Sequence, residues 1–454
     1  MASKPPPSER LAAWLPEQRW FGAKSRKIAG LGVEDSIDLG PGTLHVLRVT
    51  LDDGDVQRYA VPLGDSALAD ALDDPAFARH LVGLVREEAY VAGRHGVVTG
   101  HRTRAFPEHL HPDAVIRKIG GEQSNTSVVM GQTLIMKHFR RLATGVNPEL
   151  EITRFLTEVA DFPHTPALAG WLDYAVEGVE PTTLAVVQHR VVDARDGWQW
   201  MLDALGDEPR RASALTALRR LGEVTAGLHL ALARGRAAPL APEPIADADV
   251  ARWTASVAAQ LATARAAAPA HAQSIPAVTD DQVGAALASL RGRLKIRHHG
   301  DFHLGQTLYR ESDTAWTVID FEGEPLRPLA ERRRKHAPLR DVAGLLRSIA
   351  YAAETVRAAP SASHAKTPGA WIDAWERDAR AAFLDGYLTT AGRAPFLPED
   401  DADTRRVVAA FELEKAAYEV VYEANNRPEW IGIPLRGVVN AAAAIRPPRT
   451  AGAA

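Results

Sequence analysis

A chain of 454 residues exceeds what one hydrophobic core sustains, so about two to four domains are expected. Its 46% hydrophobic and 24% charged residues are those of a globular enzyme and not of a disordered chain. A formal net charge of −4 gives no general pull on a phosphate backbone, and the absence of cysteine excludes disulfides, thiolate metal sites and cysteine nucleophiles.

The opening Met1–Pro7 has no apolar core behind its single positive charge, and no later stretch reaches the roughly 18 uncharged apolar residues of a membrane span. A soluble cytoplasmic protein with neither membrane nor nucleic-acid partner is expected. Leu11 to Phe21 is weakly amphipathic. Alternation around Leu44–Arg48 and Val56–Ala60, with Asp52-Asp53-Gly54 between, predicts a β-hairpin over 43–63. The run from Ala67 to about Arg94 reads as helix, closing a domain of about 100 residues. From Val115 to Lys137 two β-rich runs flank a loop, and Pro148–Val159 follows as a helix with proline in its first turn. After an extended run, Thr183–Val192, the chain turns rich in Ala, Leu and Arg and helical by propensity, broken near Pro239–Pro244 and Pro269–Pro276. Pro447–Ala454 reads as a loose tail.

One constellation carries chemistry. Phosphoryl transfer needs a carboxylate near the acceptor hydroxyl and metal ligands close by. In kinase catalytic loops an Asp precedes a metal-binding amide by five positions, the spacing of Asp301 and Gln306. Asp320 follows nineteen residues after Asp301, beyond the β-like run Trp316–Ile319, at the place of a second metal ligand. Alone, each piece is an ordinary turn or cap; together, in this order, they point to a kinase. His299 is expected to order the loop.

Upstream, Lys137 ends the β-like run Thr133–Met136, where kinases place the lysine that contacts ATP phosphates and a helix glutamate. Glu151 is the preferred partner, with Glu149 possible. Gly120-Gly121 and Ser124, Asn125, Thr126 and Ser127 lie before that strand, where backbone N–H groups and hydroxyls can approach a phosphate. By order alone, Gln188 to Val191, Arg190 included, forms the adenine hinge, with Asp196-Gly197-Trp198 beyond. Asp341 reads first as a helix N-cap and second as a brace for the catalytic loop. The run Arg332-Arg333-Arg334-Lys335 could attract phosphate but reads first as a solvated face. Lys415, Tyr418 and Tyr422 share one stripe of the helix Phe411–Asn425, beside Glu419 and Glu423, a pattern that suits sugar binding or core packing.

The segments EQSNTSVV (122–129), FRRLATGVNPELE (139–151), HGDFHLGQ (299–306), DFEGEPLRPLAERR (320–333) and EKAAYEVVYEANNRPEWIGIPL (414–435), with the opening WLPEQRWFGAK (14–24), closely resemble the actinobacterial maltokinases, relatives of the aminoglycoside phosphotransferases. The resemblance implies an α+β, bilobal, protein-kinase-like fold: an N-terminal cap subdomain over 1–100, an intermediate β/α region over 101–190 that completes the N-lobe, and a mostly helical C-lobe over 191–454. It implies transfer of the ATP γ-phosphoryl to the anomeric hydroxyl of maltose, giving maltose 1-phosphate for α-glucan synthesis. Asp301 would be the base, Gln306 and Asp320 the Mg²⁺ ligands, and Lys137 the phosphate contact. Lys415, Tyr418 and Tyr422 would hold the sugar, with His303 and Glu322 also assigned to substrate. Gln306 in place of the asparagine of aminoglycoside kinases, and Glu322 in place of the glycine of Asp-Phe-Gly, both follow the maltokinase form. A trehalose synthase, fused in some members, would have to associate non-covalently.

Two other readings fit the same residues. One is a kinase of glucosamine or an aminoglycoside, against which Lys415 counts because a cationic substrate wants an acidic pocket. The other is a pseudokinase partner of glucan-building enzymes, against which the complete Asp301, Gln306 and Asp320 set counts.

Overall fold

The computed structural model describes residues 6–64, 68–111, 114–120, 124–325, 327–358 and 369–446. Ala67, Gly121 and the tail from Pro447, named above, lie outside them. The chain divides into two compact units, Met1–Val192 and Asp193–Ala454.

The first unit opens with helix α1 (Ser8–Trp14) and three strands, β1 (Ile28–Asp38), β2 (Gly42–Leu51) and β3 (Val56–Gly64). β2 and β3 form the predicted hairpin, with Gly54 at φ +86° in its turn. β1 escaped sequence reading because Gly30 and Gly32 dilute its strand signature and two register shifts break its alternation. Helix α2 (Pro75–Arg86) is shorter than the 67–94 run. Asp74 caps it, accepting from the Ala76 N–H at 2.8 Å, and Pro75 fixes its first turn. Beyond it the chain extends into β4 (Tyr90–Ala92) and β5 (Gly96–Arg102). There follow β6 (Ile116–Lys118), β7 (Asn125–Met130), β8 (Leu134–Phe139), β9 (Arg141–Leu142), α3 (Pro148–Phe155), β10 (Leu168–Val176) and β11 (Thr182–His189).

These strands make two antiparallel sheets, ordered β1-β2-β3-β9 and β4-β5-β10-β11-β8-β7-β6. Residue 100 therefore lies inside β5, and the expected cap and intermediate regions contribute strands to both sheets. One core joins Leu44 and Val46 of β2, Phe77 and Leu81 of α2, and Met136, Leu172 and Val187 of the second sheet. The other sets Leu11, Trp20 and Phe21 against Leu47, Val49, Tyr59 and Val61. The first sheet is thus buried on both faces. At Gly100 a Cβ would sit 2.2 Å from the Leu84 carbonyl oxygen, so glycine is what lets α2 lie against β5.

The second unit is mostly helical. It runs β12 (Arg195–Asp196), α4 (Gly197–Gly206), α5 (Arg211–Leu232), β13 (Glu243–Pro244), α6 (Asp247–Ala267), α7 (Asp280–Leu287), β14 (Leu294–Lys295), β15 (Thr307–Arg310), β16 (Ala315–Val318), α8 (Leu329–Arg332), α9 (Leu339–Ala358), α10 (Gly369–Ala391), α11 (Asp401–Asn426) and α12 (Gly432–Ala444). The proline-rich breaks fall between α5, α6 and α7, as expected. α11 starts ten residues before the predicted Phe411, where Asp400 accepts from the Ala402 N–H at 2.6 Å. It packs on α6, α9 and α12. Among the described residues no helix is long and apolar enough to cross a membrane.

Candidate active site

The sequence motif around Asp301 is held by one hairpin and one buried carboxylate. β15 pairs antiparallel with β16, Thr307 opposite Val318, and the Ile319 N–H donates to the Gln306 carbonyl at 3.0 Å. Gln306 and Asp320 thus stand side by side at the open end of the hairpin. Asp320 takes φ +66°, a left-handed conformation uncommon outside glycine and concentrated at functional sites. Gln306 is anchored to the loop that carries Asp301, its N–H donating to the His303 carbonyl at 2.9 Å.

Asp341 lies inside the first turn of α9 and does not cap it. Its carboxylate accepts from the His299 N–H at 2.8 Å, from the Gly300 N–H at 3.0 Å, and lies 3.2 Å from His229 Nε2. The brace, the second of its two sequence readings, is the one realised. Burial opposes its charge, but His298, His229 and His299 more than offset this and hold the carboxyl well below its ordinary range. His299 orders the loop as expected: its Nε2 lies 2.9 Å from the Ile319 carbonyl and its ring stacks on Phe302. Gly300 turns at φ +87° and sends Asp301 out of the packed interior.

Asp301 meets the α11 stripe. Lys415 Nζ lies 3.1 Å from Asp301 Oδ1 and 3.6 Å from Glu324 Oε1. Burial would lower the Lys415 ammonium, yet the carboxylates of Asp301, Glu324 and Glu419 outweigh it and keep the group above its ordinary value. A cavity of about 920 Å³ opens on this cluster. Its walls include Asp301, His303, Lys415, Tyr418 and Tyr422, all foreseen, and Glu324, Tyr351 and Trp430, which were not. Glu322 is not on these walls. Gly323 reverses the chain at φ +71°, leaving Glu322 toward Arg332 and turning Glu324 toward Lys415. The cavity carries five carboxylates, from Asp301, Glu324, Glu331, Glu419 and Glu423, against three cations, Arg327, Lys415 and Arg427. All three cations are paired with those carboxylates. The Lys415 objection to a cationic substrate therefore falls, because its charge is already neutralised.

The nucleotide candidates lie in the first unit. Lys137 stands within β8, opposite Ser127 of β7 and Val186 of β11. Asn125, Thr126 and Ser127 are not loop residues but the start of β7, where their neighbour strand claims the backbone; only Ser124 precedes it. Thr126 is buried, and its hydroxyl accepts from Arg140 Nε at 2.8 Å. Glu151 sits in the first turn of α3 behind the Asn147 cap, while Glu149 accepts from Gln188 Nε2 at 2.8 Å. The Arg190 N–H donates to the Thr133 carbonyl and its guanidinium to the Gly131 carbonyl. Gln188 and Arg190 are thereby fixed to the sheet, and β11 stops at His189, just before Val191.

A two-unit α+β chain with an Asp301–Gln306–Asp320 hairpin, set beside a wide polar and aromatic cavity, defines a phosphotransferase of the aminoglycoside phosphotransferase-like class. Residues 14–95 match the maltokinase N-terminal cap domain family. Over 422 residues the chain is 30% identical to the glucosamine kinase of Streptacidiphilus jiangxiensis, covering 89% of this chain and 90% of that one. It is 29% identical over 328 residues to the glucosamine kinase of Mycolicibacterium smegmatis, covering 70% and 77%. A solved glucosamine kinase, in complex with glucosamine, ADP and inorganic phosphate, matches with a TM-score of 0.69 at 25% identity, covering 96% of this chain and 99% of that chain. The chain belongs to the glucosamine kinase family. The maltokinase expectation holds at the cap; the full-length relatives carry the glucosamine kinase name.

Proposed function

We propose that this protein is an ATP-dependent sugar kinase whose acceptor is a hexosamine of the glucosamine type. The observation that carries the reading is the excess of carboxylates on the cavity beside Asp301, in a chain whose relatives are glucosamine kinases. These carboxylates, Glu419 among them although Arg347 also pairs with it, can accept from an ammonium group, and Tyr418, Tyr422 and Trp430 offer faces for a sugar ring.

In this reading Asp301 accepts the hydrogen bond of the acceptor hydroxyl and takes its proton as the γ-phosphoryl moves across. Lys415 and Glu324 fix the Asp301 carboxylate, and Asp341 fixes the loop that carries it. Gln306 and Asp320 supply two hard oxygen donors side by side, a set that fits Mg²⁺, which takes few protein ligands and completes its shell with phosphates and water. The ion, when bound, neutralises phosphate charge. Lys137, with Glu151 near it in sequence order, is assigned to the ATP phosphates, and the backbone around Val191 to adenine.

An acceptor panel decides the substrate: ADP release with glucosamine, glucose, maltose and an aminoglycoside, followed by NMR of the product to locate the phosphate. Glucosamine is expected to give the highest kcat/KM, and a clear preference for maltose would overturn the assignment. Maltose is the second reading, and the match of residues 14–95 to the maltokinase cap favours it. A non-covalent trehalose synthase partner belongs to that reading alone.

A further inference from the structure

The first unit carries a carboxylate that reaches both strands of a hairpin to which it does not belong. Asp70 lies just before α2, in the stretch that matches the cap family, and its side chain is only 4% exposed. Its Oδ1 accepts from the Leu72 N–H at 3.1 Å, which fixes the carboxylate in its own turn. Its Oδ2 meets two cations, Lys118 Nζ at 3.3 Å and the Arg140 guanidinium. Lys118 ends β6. Arg140, fully buried, continues to β7, where its Nε donates to the Thr126 hydroxyl at 2.8 Å, and its guanidinium lies 4.7 Å from the centre of the Trp20 ring. β6 and β7 are paired with each other, so one buried oxygen is tied to both strands.

β6 needs such a tie. It has three residues and stands at the edge of the seven-stranded sheet, and so short an edge strand gains little from its ladder alone. Burial opposes the charge of Asp70, but Arg140 and Lys118 outweigh it and hold the carboxyl below its ordinary range, so the tie is ionic at neutral pH. The connection of this hairpin bears Gly120 and Ser124, and Ser127 on β7 stands opposite Lys137. We propose that Asp70 is a positioning residue for the nucleotide: by holding Lys118 and, through Arg140, Thr126, it sets where Gly120 and Ser124 meet the ATP phosphates. The proposal rests on the assignment of Lys137 and this hairpin to ATP. It gives the cap region a task in donor binding.

Kinetics, and calorimetric titration of the full chain with ADP and magnesium, test the tie. Asp70→Asn keeps the size of the side chain and takes away its charge. It is expected to raise the KM for ATP and the Kd for ADP at least tenfold, while kcat at saturating ATP and the KM for sugar move less than twofold. Because Arg140 then keeps an unpaired buried charge, the second variant is Lys118→Met, at a side chain 36% exposed, which cuts one arm and leaves Arg140 paired. It should raise the KM for ATP at least threefold, melt with the parent, and be rescued by Lys118→Arg. Parent-like ATP binding in Lys118→Met, or an Asp70→Asn protein whose sugar and ATP constants worsen together, overturns the proposal and leaves Asp70 as the counter-ion of Arg140. Lys137→Ala keeps this failure apart from that of the underlying reading. If it weakens ADP binding while the Asp70 and Lys118 variants bind like the parent, only the tie falls. If ADP binding survives it, the nucleotide assignment falls and the proposal with it.

Discussion

Lys415 Nζ bridges Asp301 and Glu324, at 3.1 and 3.6 Å, so the cation on the Tyr418 and Tyr422 stripe of α11 is held by two carboxylates before it can meet any ligand. Replacing it with methionine leaves two neighbouring carboxylates facing each other. Breaking a buried pair costs about 3–5 kcal/mol; the side chains here keep 14–25% exposure, which puts the loss at the low end of that range. Lys415→Met is expected to melt lower and to lose about 10²-fold in kcat through misplacement of Asp301. Adding Glu324→Gln to Lys415→Met should restore part of the stability, because one uncompensated charge goes. Additive losses in that double-variant cycle would refute the bridge.

The Asp341 brace makes a separate prediction. An asparagine there offers one carbonyl oxygen to two backbone donors, the His299 and Gly300 N–H groups, and turns an N–H₂ toward whichever is left. Asp341→Asn should cost about 1–3 kcal/mol in stability and lower kcat far more than it changes the KM for ATP. A variant whose KM for ATP rises as much as its kcat falls would show that Asp341 shapes the nucleotide site and does not merely hold the loop.

Much of this site was legible because it is local. Asp301, Gln306 and Asp320 lie on one loop and hairpin, where offsets along the chain translate directly into neighbours in space. Lys415, Tyr418 and Tyr422 were legible as a stripe, since helix periodicity places them together. Glu324 was not: whether it or Glu322 faces Lys415 is decided by the left-handed turn at Gly323, a backbone choice that composition does not reveal. The same limit hid the true place of Asn125–Ser127. Their small polar side chains read as loop, yet the strand pairs of β7 with β8 claimed them, and Thr126 became an anchor for a buried arginine. Pairing across the chain overrode local composition.

Acid should begin to weaken the fold through histidines that burial keeps neutral. Burial holds His45 and His298 at about 4 and His138 at about 3, against an ordinary 6.5. Their folded values are depressed, so the unfolded chain takes up these protons first as pH falls. Stability is whole above about 6.5 and declines from there toward 4, by about 1.4 kcal/mol per pH unit for each proton fully taken up. Urea unfolding between pH 8 and pH 5 should show this slope, and His45→Gln should reduce it. A stability that stays level across that window would mean these rings are protonated inside the fold.

Two glycines set the distance between α5 and α10. A Cβ on Gly222 would lie 2.1 Å from the Phe383 carbonyl oxygen, and one on Gly386 would lie 2.0 Å from the Arg219 carbonyl oxygen. Both contacts are with backbone, which no side-chain rotation relieves. By helix propensity alone, Gly222→Ala should stabilise α5 by about 1 kcal/mol. The crossing predicts the opposite sign, because a methyl at 2.1 Å forces the helices apart and opens the packing of Leu218, Leu221 and Phe383, all buried. Gly222→Ala is therefore expected to lose about 1–3 kcal/mol net, read as a lower denaturant midpoint. Gly292→Ala serves as the control for a glycine with open space around it: its φ of +77° alone is at stake, and its loss should be the smaller of the two. A Gly222→Ala protein as stable as the parent would show that α5 and α10 are not in contact at this point.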